Sequence, residues 1–182
     1  MRVLYIMNHA DTGGSALAFK EIVLTMKKRH NVEPIVITGR NNTLNEFFED
    51  KGIENFSFSF KNFISSYHNP EFIYKKLLYI RHLLGNMIAI KKIIKNVDLE
   101  HIDLIETNLD RIDIGAILSK KYHIPHIWHI REHLGSDFNV TSIFSNYINY
   151  MNSFSSTYVA VSKSVKDTWV SRGINPRNIN II

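Results

Sequence analysis

Val3-Leu4-Tyr5-Ile6-Met7-Asn8-His9-Ala10-Asp11-Thr12-Gly13-Gly14-Ser15-Ala16-Leu17-Ala18 decides how this chain is read. Its first five residues are short, apolar and β-biased. After the glycines, Leu17, Phe19, Ile22, Val23 and Met26 recur at helical spacing. The stretch is therefore a strand-to-helix elbow, in which Thr12 and Ser15 can cap the helix and glycine lets backbone approach a ligand closely. A helix N-terminus with free N–H groups and the positive end of its dipole seats a phosphate or another anion. The plainer alternative is a loop that needs glycine only for its turn.

Outward from the elbow, strand-like and helix-like runs alternate. The first helix ends near Lys27-Lys28-Arg29-His30, Val32 to Thr38 is a second buried strand, Leu44 to Lys51 a short helix, and Ile53 to Phe60 a third strand. Phe63 to Asn69 reads as a surface loop. Pro70 suits the first turn of a long helix reaching Val97, with Ile73, Leu77, Ile80, Leu84, Met87, Ile90, Ile94 and Val97 as its apolar stripe. Strands follow at Ile102 to Thr107, Pro125 to Ile130, Thr157 to Val161 and Ile179 to Ile182, separated by helices through Ile114 to Tyr122, Thr141 to Phe154 and Lys163 to Arg172. This alternation predicts one α/β domain over residues 1–182, a Rossmann-like doubly wound parallel sheet of about seven strands with helices on both faces.

Composition narrows the classes. The chain has 182 residues, 45% of them apolar, so it can bury a sizeable core. It contains no cysteine, which removes disulfide and thiolate chemistry and fits a reducing cytoplasmic setting. No apolar run reaches the roughly 18 residues of a membrane span. The net charge of +5 favours anionic partners. Without a zinc-finger, RNP or helix-turn-helix pattern, nucleic acid is not an expected one. Lys75, Lys76, Arg81, Lys91, Lys92 and Lys95 flank the stripe of the 70–97 helix. They form either a solvated face or a basic surface that rests on anionic lipid headgroups, which would place the protein at the inner face of the plasma membrane.

In doubly wound sheets ligands gather beyond the carboxyl ends of the strands. Four polar clusters fall there: Asn8 to Ser15, Thr107 to Asp110, His129 to Glu132 and Ser162 to Ser164. His129, Arg131 and Glu132 offer an imidazole, a fork for an anion or hydroxyl, and a carboxylate to orient them. His129-Ile130-Arg131-Glu132-His133 also spells H-x-x-E-H, but that zinc peptidase motif works on a helix and here begins inside a strand. His126 and Trp128 share the opposite strand face and are read as packing. G-x-G-x-x-G, G-K-[ST] and G-x-S-x-G patterns are absent.

The elbow Gly13-Gly14-Ser15, the strand end Pro125-His126-Ile127-Trp128-His129-Ile130-Arg131-Glu132, and Tyr158-Val159-Ala160-Val161-Ser162-Lys163-Ser164-Val165 running to Gly173-Ile174 together resemble the N-terminal half of a family 4 (GT-B) glycosyltransferase. The resemblance implies an acceptor-binding domain. A second Rossmann-like domain for the nucleotide-sugar donor would follow Ile182, and the isolated half would be inactive. It implies a retaining, metal-independent hexosyl transfer with no cofactor, from a nucleotide-sugar to a glycan or lipid-linked acceptor in cell-surface polysaccharide synthesis. By the same resemblance His129 meets the transferred sugar, Arg131 and Glu132 complete the site, and Gly13, Gly14 and Ser15 lie near phosphate or acceptor. Asn108 and Ser162 are added by strand-end position. A non-catalytic sugar- or phosphate-binding module is the alternative.

Overall fold

The computed structural model describes residues 1–8, 13–65, 72–133, 141–144 and 146–182. The roles read for Thr12 and Pro70 lie outside them. Seven parallel strands, β1 (Arg2–Met7), β2 (Glu33–Thr38), β3 (Glu54–Ser57), β5 (Leu104–Asn108), β6 (His126–Ile130), β8 (Ser156–Ala160) and β9 (Ile179–Ile181), form one sheet in the order β3-β2-β1-β5-β6-β8-β9. The chain winds outward from β1 to β3 and then returns to lay β5 on the other side of β1. The topological switch therefore lies between β1 and β5, and the tips of β1, β5, β6 and β8 stand side by side.

Helices cover both faces, as the alternation predicts. Helices α1 (Gly14–His30) and α2 (Thr43–Asp50) bury Phe19, Val23, Leu44 and Phe48 against Val3, Tyr5, Met7 and Val36. On the other face, α3 (Phe72–Asn96) and α4 (Ile114–Tyr122) pack on Leu4, Ile6, Ile35, Ile37 and Ile105. Further along that face, α5 (Tyr147–Asn152) and α6 (Lys163–Ser171) enclose Trp128, Ile130, Tyr158 and Ala160. On the α1 side, by contrast, Ile127 and Val159 join none of the three apolar clusters, and Thr157 is exposed. Among the described residues, coverage is complete over β1 and β2 and one-sided over β8.

Two elements depart from the periodicity, and Phe63 and Ile64, read as the start of a surface loop, are buried in the core, where Ile64 opens the short strand β4 (Ile64–Ser65). The pattern over 141–154 predicts a single helix, whereas β7 (Thr141–Ser142) pairs antiparallel with β4 (Ile64–Ser65) and only α5 is helical. The Ile143 N–H donates to the Phe63 carbonyl, and Phe144 stacks on Tyr150 with centroids 3.8 Å apart. A tertiary strand pair and an aromatic stack thus override the local helical pattern, and α5 starts only where the Asn146 side chain accepts the Asn149 N–H.

The second departure is the rotation of α3. Of the expected core stripe, Ile73, Leu77, Ile80, Leu84 and Met87 are 79, 60, 44, 57 and 53% exposed, while Ala89, Ile93 and Val97 make the buried contacts near the C-terminal end. The cause is Asp113, a fully buried carboxylate just ahead of α4. It accepts hydrogen bonds from Asn86 Nδ2 at 3.0 Å and Tyr150 Oη at 2.8 Å, and lies 2.9 Å from His82 Nε2. A buried carboxylate demands polar partners. α3 therefore turns His82 and Asn86 inward and the apolar line outward.

The candidate site at the strand tips

α1 begins at the tip of β1. Gly13 occupies the N-cap position at φ 100°, a backbone that side chains rarely adopt, and no side chain caps the helix. Ser15 lies within the first helical turn rather than capping it. Among the described residues a Cβ built on Gly13 or Gly14 would meet nothing within 4 Å, and the first turn carries no acid. Among the described residues nothing caps or covers this N-terminus, and its free N–H groups and dipole suit an anion.

Register places the other groups. Tyr5 pairs with Glu106 across β1 and β5, and Asn108 pairs with His129 across β5 and β6. Residues in register in a parallel pair share a face and side chains alternate along a strand, so Tyr5, Glu106, Asn108 and His129 all lie on the face that α1 covers. Gly14 and His129 therefore stand on one side of the sheet and at one end of it, with β5 between their strands. Asn108 bridges the switch point: its Nδ2 donates to Met7 Sδ at 3.4 Å, and its Oδ1 accepts from Arg131 Nε at 2.7 Å.

The three residues read as a catalytic group do not stay together. His129 and Arg131 share this face, but their neighbouring carboxylate is Glu106, with Oε1 at 3.0 Å from His129 Nε2. Burial pulls the Arg131 pKa down and the charge of Glu106 pushes it back up. Glu132 instead pairs with Arg111, and its carbonyl accepts from Trp169 Nε1 at 2.9 Å. It thereby ties the end of β6 to α6 and to the β5–α4 loop. Ser162 is the N-cap of α6, its Oγ accepting the Val165 N–H at 3.2 Å. His133 contacts Thr168 at 2.8 Å. β6 ends at Ile130 and residues 131–133 are not helical, so the H-x-x-E-H spelling lacks the helical face its chemistry needs.

Two acidic groups are given no role by the sequence, Asp110 entering it only as the end of the Thr107 to Asp110 cluster. Glu106 is 6% exposed within an interior strand, and a lone carboxylate in such an apolar run is the signal that would have found it. Asp110 is fully buried with neither oxygen partnered among the described residues, and burial, reinforced by the charge of Glu132, raises its pKa to about 7. It follows Leu109, held at φ 135° with its carbonyl accepting from Trp128 Nε1 at 2.9 Å. Strained backbone of this kind collects at functional tips of a fold.

No known protein family and no curated protein matches the chain. Solved structures do match. HepE (Alr3699) of Anabaena in complex with UDP superposes over 100% of this chain and 43% of its own, with a TM-score of 0.67 at 18% identity. A glycosyltransferase from Rickettsia africae covers 100% and 42%, with a TM-score of 0.63 at 18% identity. The UDP-GlcNAc 2-epimerase of Methanocaldococcus jannaschii covers 100% and 45%, with a TM-score of 0.58 at 16% identity. These likenesses establish the fold: a Rossmann-like α/β domain matching one half of a GT-B structure. The chain spans less than half the length of each of these proteins.

Proposed function

We propose that this chain is the acceptor-holding half of a nucleotide-sugar-dependent glycosyltransferase of the family 4 type. A second domain binds the donor, and a hexosyl group passes with retention and without metal to a glycan or lipid-linked acceptor in cell-surface polysaccharide synthesis. One observation carries the reading: the N-terminus of α1, uncapped among the described residues, and the imidazole of His129 stand on the same face and at the same end of the sheet, beside the switch point. The first is suited to phosphate and the second to a sugar hydroxyl. That HepE and its UDP complex share the fold supports a uridine nucleotide as the first donor to try. The test is transfer of labelled sugar from UDP- and GDP-sugars by the full-length protein, with a glycan or membrane-lipid extract as acceptor. Labelled product that depends on acceptor and is lost on His129→Ala upholds the reading. Acceptor binding without turnover supports the non-catalytic module, and conversion of the donor without acceptor supports epimerase chemistry.

The acceptor reading extends to α3. Its outward face carries Ile73, Leu77, Ile80, Leu84, Met87 and Ile88, each at least 44% exposed, and the helix holds six cations and no acid. An exposed apolar line edged only by cations fits an anionic lipid surface, and like charges oppose its pairing with a second copy of itself. No helix among the described residues is long and apolar enough to cross a membrane. We place the protein in the cytoplasm, resting peripherally on the inner membrane face through α3. Sedimentation with vesicles containing anionic lipid should retain the protein and lose it on Leu77→Glu plus Leu84→Glu. Equal retention by neutral vesicles would remove the anionic-lipid clause.

A further inference from the structure

The buried polar atoms that lack a hydrogen-bond partner are not scattered. Four of the seven among the described residues, Tyr5 Oη, Glu106 Oε1, His129 Nδ1 and Arg131 Nη2, belong to Glu106 and the three residues around it. Native interiors leave few such atoms, and a concentration of them marks a place that water or a ligand completes. Glu106 is the centre of the group. It lies across from Tyr5 in register, its Oε1 approaches His129 Nε2 to 3.0 Å, and its charge acts on both Tyr5 and Arg131. The approach to His129 is a charge contact off the line of a hydrogen bond, since Oε1 has no aligned donor.

We infer that Glu106 is the positioning residue of this site: it holds the His129 imidazole with protonated Nε2 toward β5, leaves Nδ1 for a ligand hydroxyl, and supplies the counter-charge that keeps Arg131 beside it. This rests on the transferase reading above for what the ligand is, but not for the local chemistry. A ring nitrogen 3.0 Å from a carboxylate is stable as N–H and not as a lone pair. In the neutral ring the proton on Nε2 makes Nδ1 an acceptor. An acceptor at Nδ1, on a face that also carries unpartnered donors at Arg131 Nη2 and Tyr5 Oη, suits a hydroxyl, which both gives and takes a hydrogen bond. The carboxylate also repels an anion, so phosphate belongs at the N-terminus of α1 and the hydroxyl-bearing ring belongs here.

The test uses Glu106→Gln and Glu106→Asp in the full-length chain, with two readouts. The first is the imidazole nitrogen NMR spectrum, the His129 signals being assigned by their loss in His129→Asn. Wild type should show the Nε2–H tautomer and Glu106→Gln a mixture. The second is transfer kinetics: Glu106→Gln should lower kcat by about 10- to 100-fold, the scale on which groups orienting a histidine act. It should cost less than about twofold in the His129→Asn background, because coupled residues are non-additive. Glu106→Asp should recover part of the rate. An unchanged tautomer in Glu106→Gln, or an equal loss in both backgrounds, overturns the proposal. If Glu106→Gln does not fold, Glu106→Asp carries both readouts, wild-type values in each refuting the role. A protein with no transferase activity refutes the functional reading alone, and the nitrogen spectrum still decides the role of Glu106.

Discussion

β6 carries two histidines, His126 and His129, on opposite faces of the sheet, and their surroundings differ in kind. His126 has both ring nitrogens engaged, Nε2 with Thr107 Oγ1 at 2.8 Å and Nδ1 with Ser156 Oγ at 2.7 Å, and its ring lies beside Trp128. His129 is equally buried, yet its Nδ1 has no partner and its Nε2 faces a carboxylate without alignment. Burial therefore does not separate the two histidines. Satisfaction does: one face of β6 has closed its hydrogen bonds and the other has left them open.

The largest effects should come from exchanging the two losses. His129→Ala is expected to lower transfer by about 10²- to 10⁴-fold, the range of a positioned acid or base, with little change in the denaturant midpoint. His126→Phe puts a larger, apolar ring in place of the imidazole and strands the Thr107 and Ser156 hydroxyls, each costing about 1–3 kcal/mol. It should unfold early while the folded fraction keeps its kcat. Activity lost with His126 and spared with His129 would reverse the assignment of the two faces.

The same contrast has a pH signature. Burial pushes the His126 pKa down from 6.5 to about 3, so the unfolded chain takes up the proton first. Its contribution to stability is complete above pH 6.5 and is lost as pH falls toward 3. Asp110 runs the other way. Its pKa rises from 3.8 to about 7, the unfolded chain releases the proton first, and stability is lost as pH climbs through that window. Urea midpoints between pH 4 and pH 8 should therefore steepen downward with rising pH in His126→Gln, where only the Asp110 slope remains. In Asp110→Asn they should climb, and at pH 8 that variant should be more stable than wild type. Parallel curves for all three proteins would show that neither group is held as its surroundings indicate.

Much of this arrangement is legible along the chain because it depends on local period and punctuation. Apolar runs of five or six residues alternating with helical stripes define the sheet, and turn residues place the polar clusters at its C-terminal end. That His126 and His129 lie on opposite faces follows from strand alternation alone. What the chain conceals depends on partners distant in sequence. Asp113 rotates α3 so that Leu77 and Leu84 face outward, a consequence that no stripe on the helix itself reveals. Glu106, rather than the adjacent Glu132, stands beside His129 because β5 and β6 are paired in a register that sequence proximity cannot supply. Ser162 carries both a strand-end position and a helix-cap spacing, and the structure uses the second.

The smallest expected effect is also the most discriminating for the elbow. Gly13 needs its glycine for φ 100°, so Gly13→Ala should be destabilising whatever binds nearby, by about 1 kcal/mol or more. Gly14 has no such need. It is the first residue of α1, its φ lies outside the left-handed region, and an added methyl would touch nothing. The fold alone would accept Gly14→Ala with unchanged or slightly raised stability, since alanine is the better helix former by up to about 1 kcal/mol. A phosphate resting on the N–H groups of that turn would not accept the methyl. Thermal melting and donor titration of the full-length protein thus part the two explanations of this glycine: a retained Tm with a several-fold weaker Kd means the turn is kept bare for a ligand. An unchanged Kd would leave Gly14 a turn residue and move the phosphate seat away from α1.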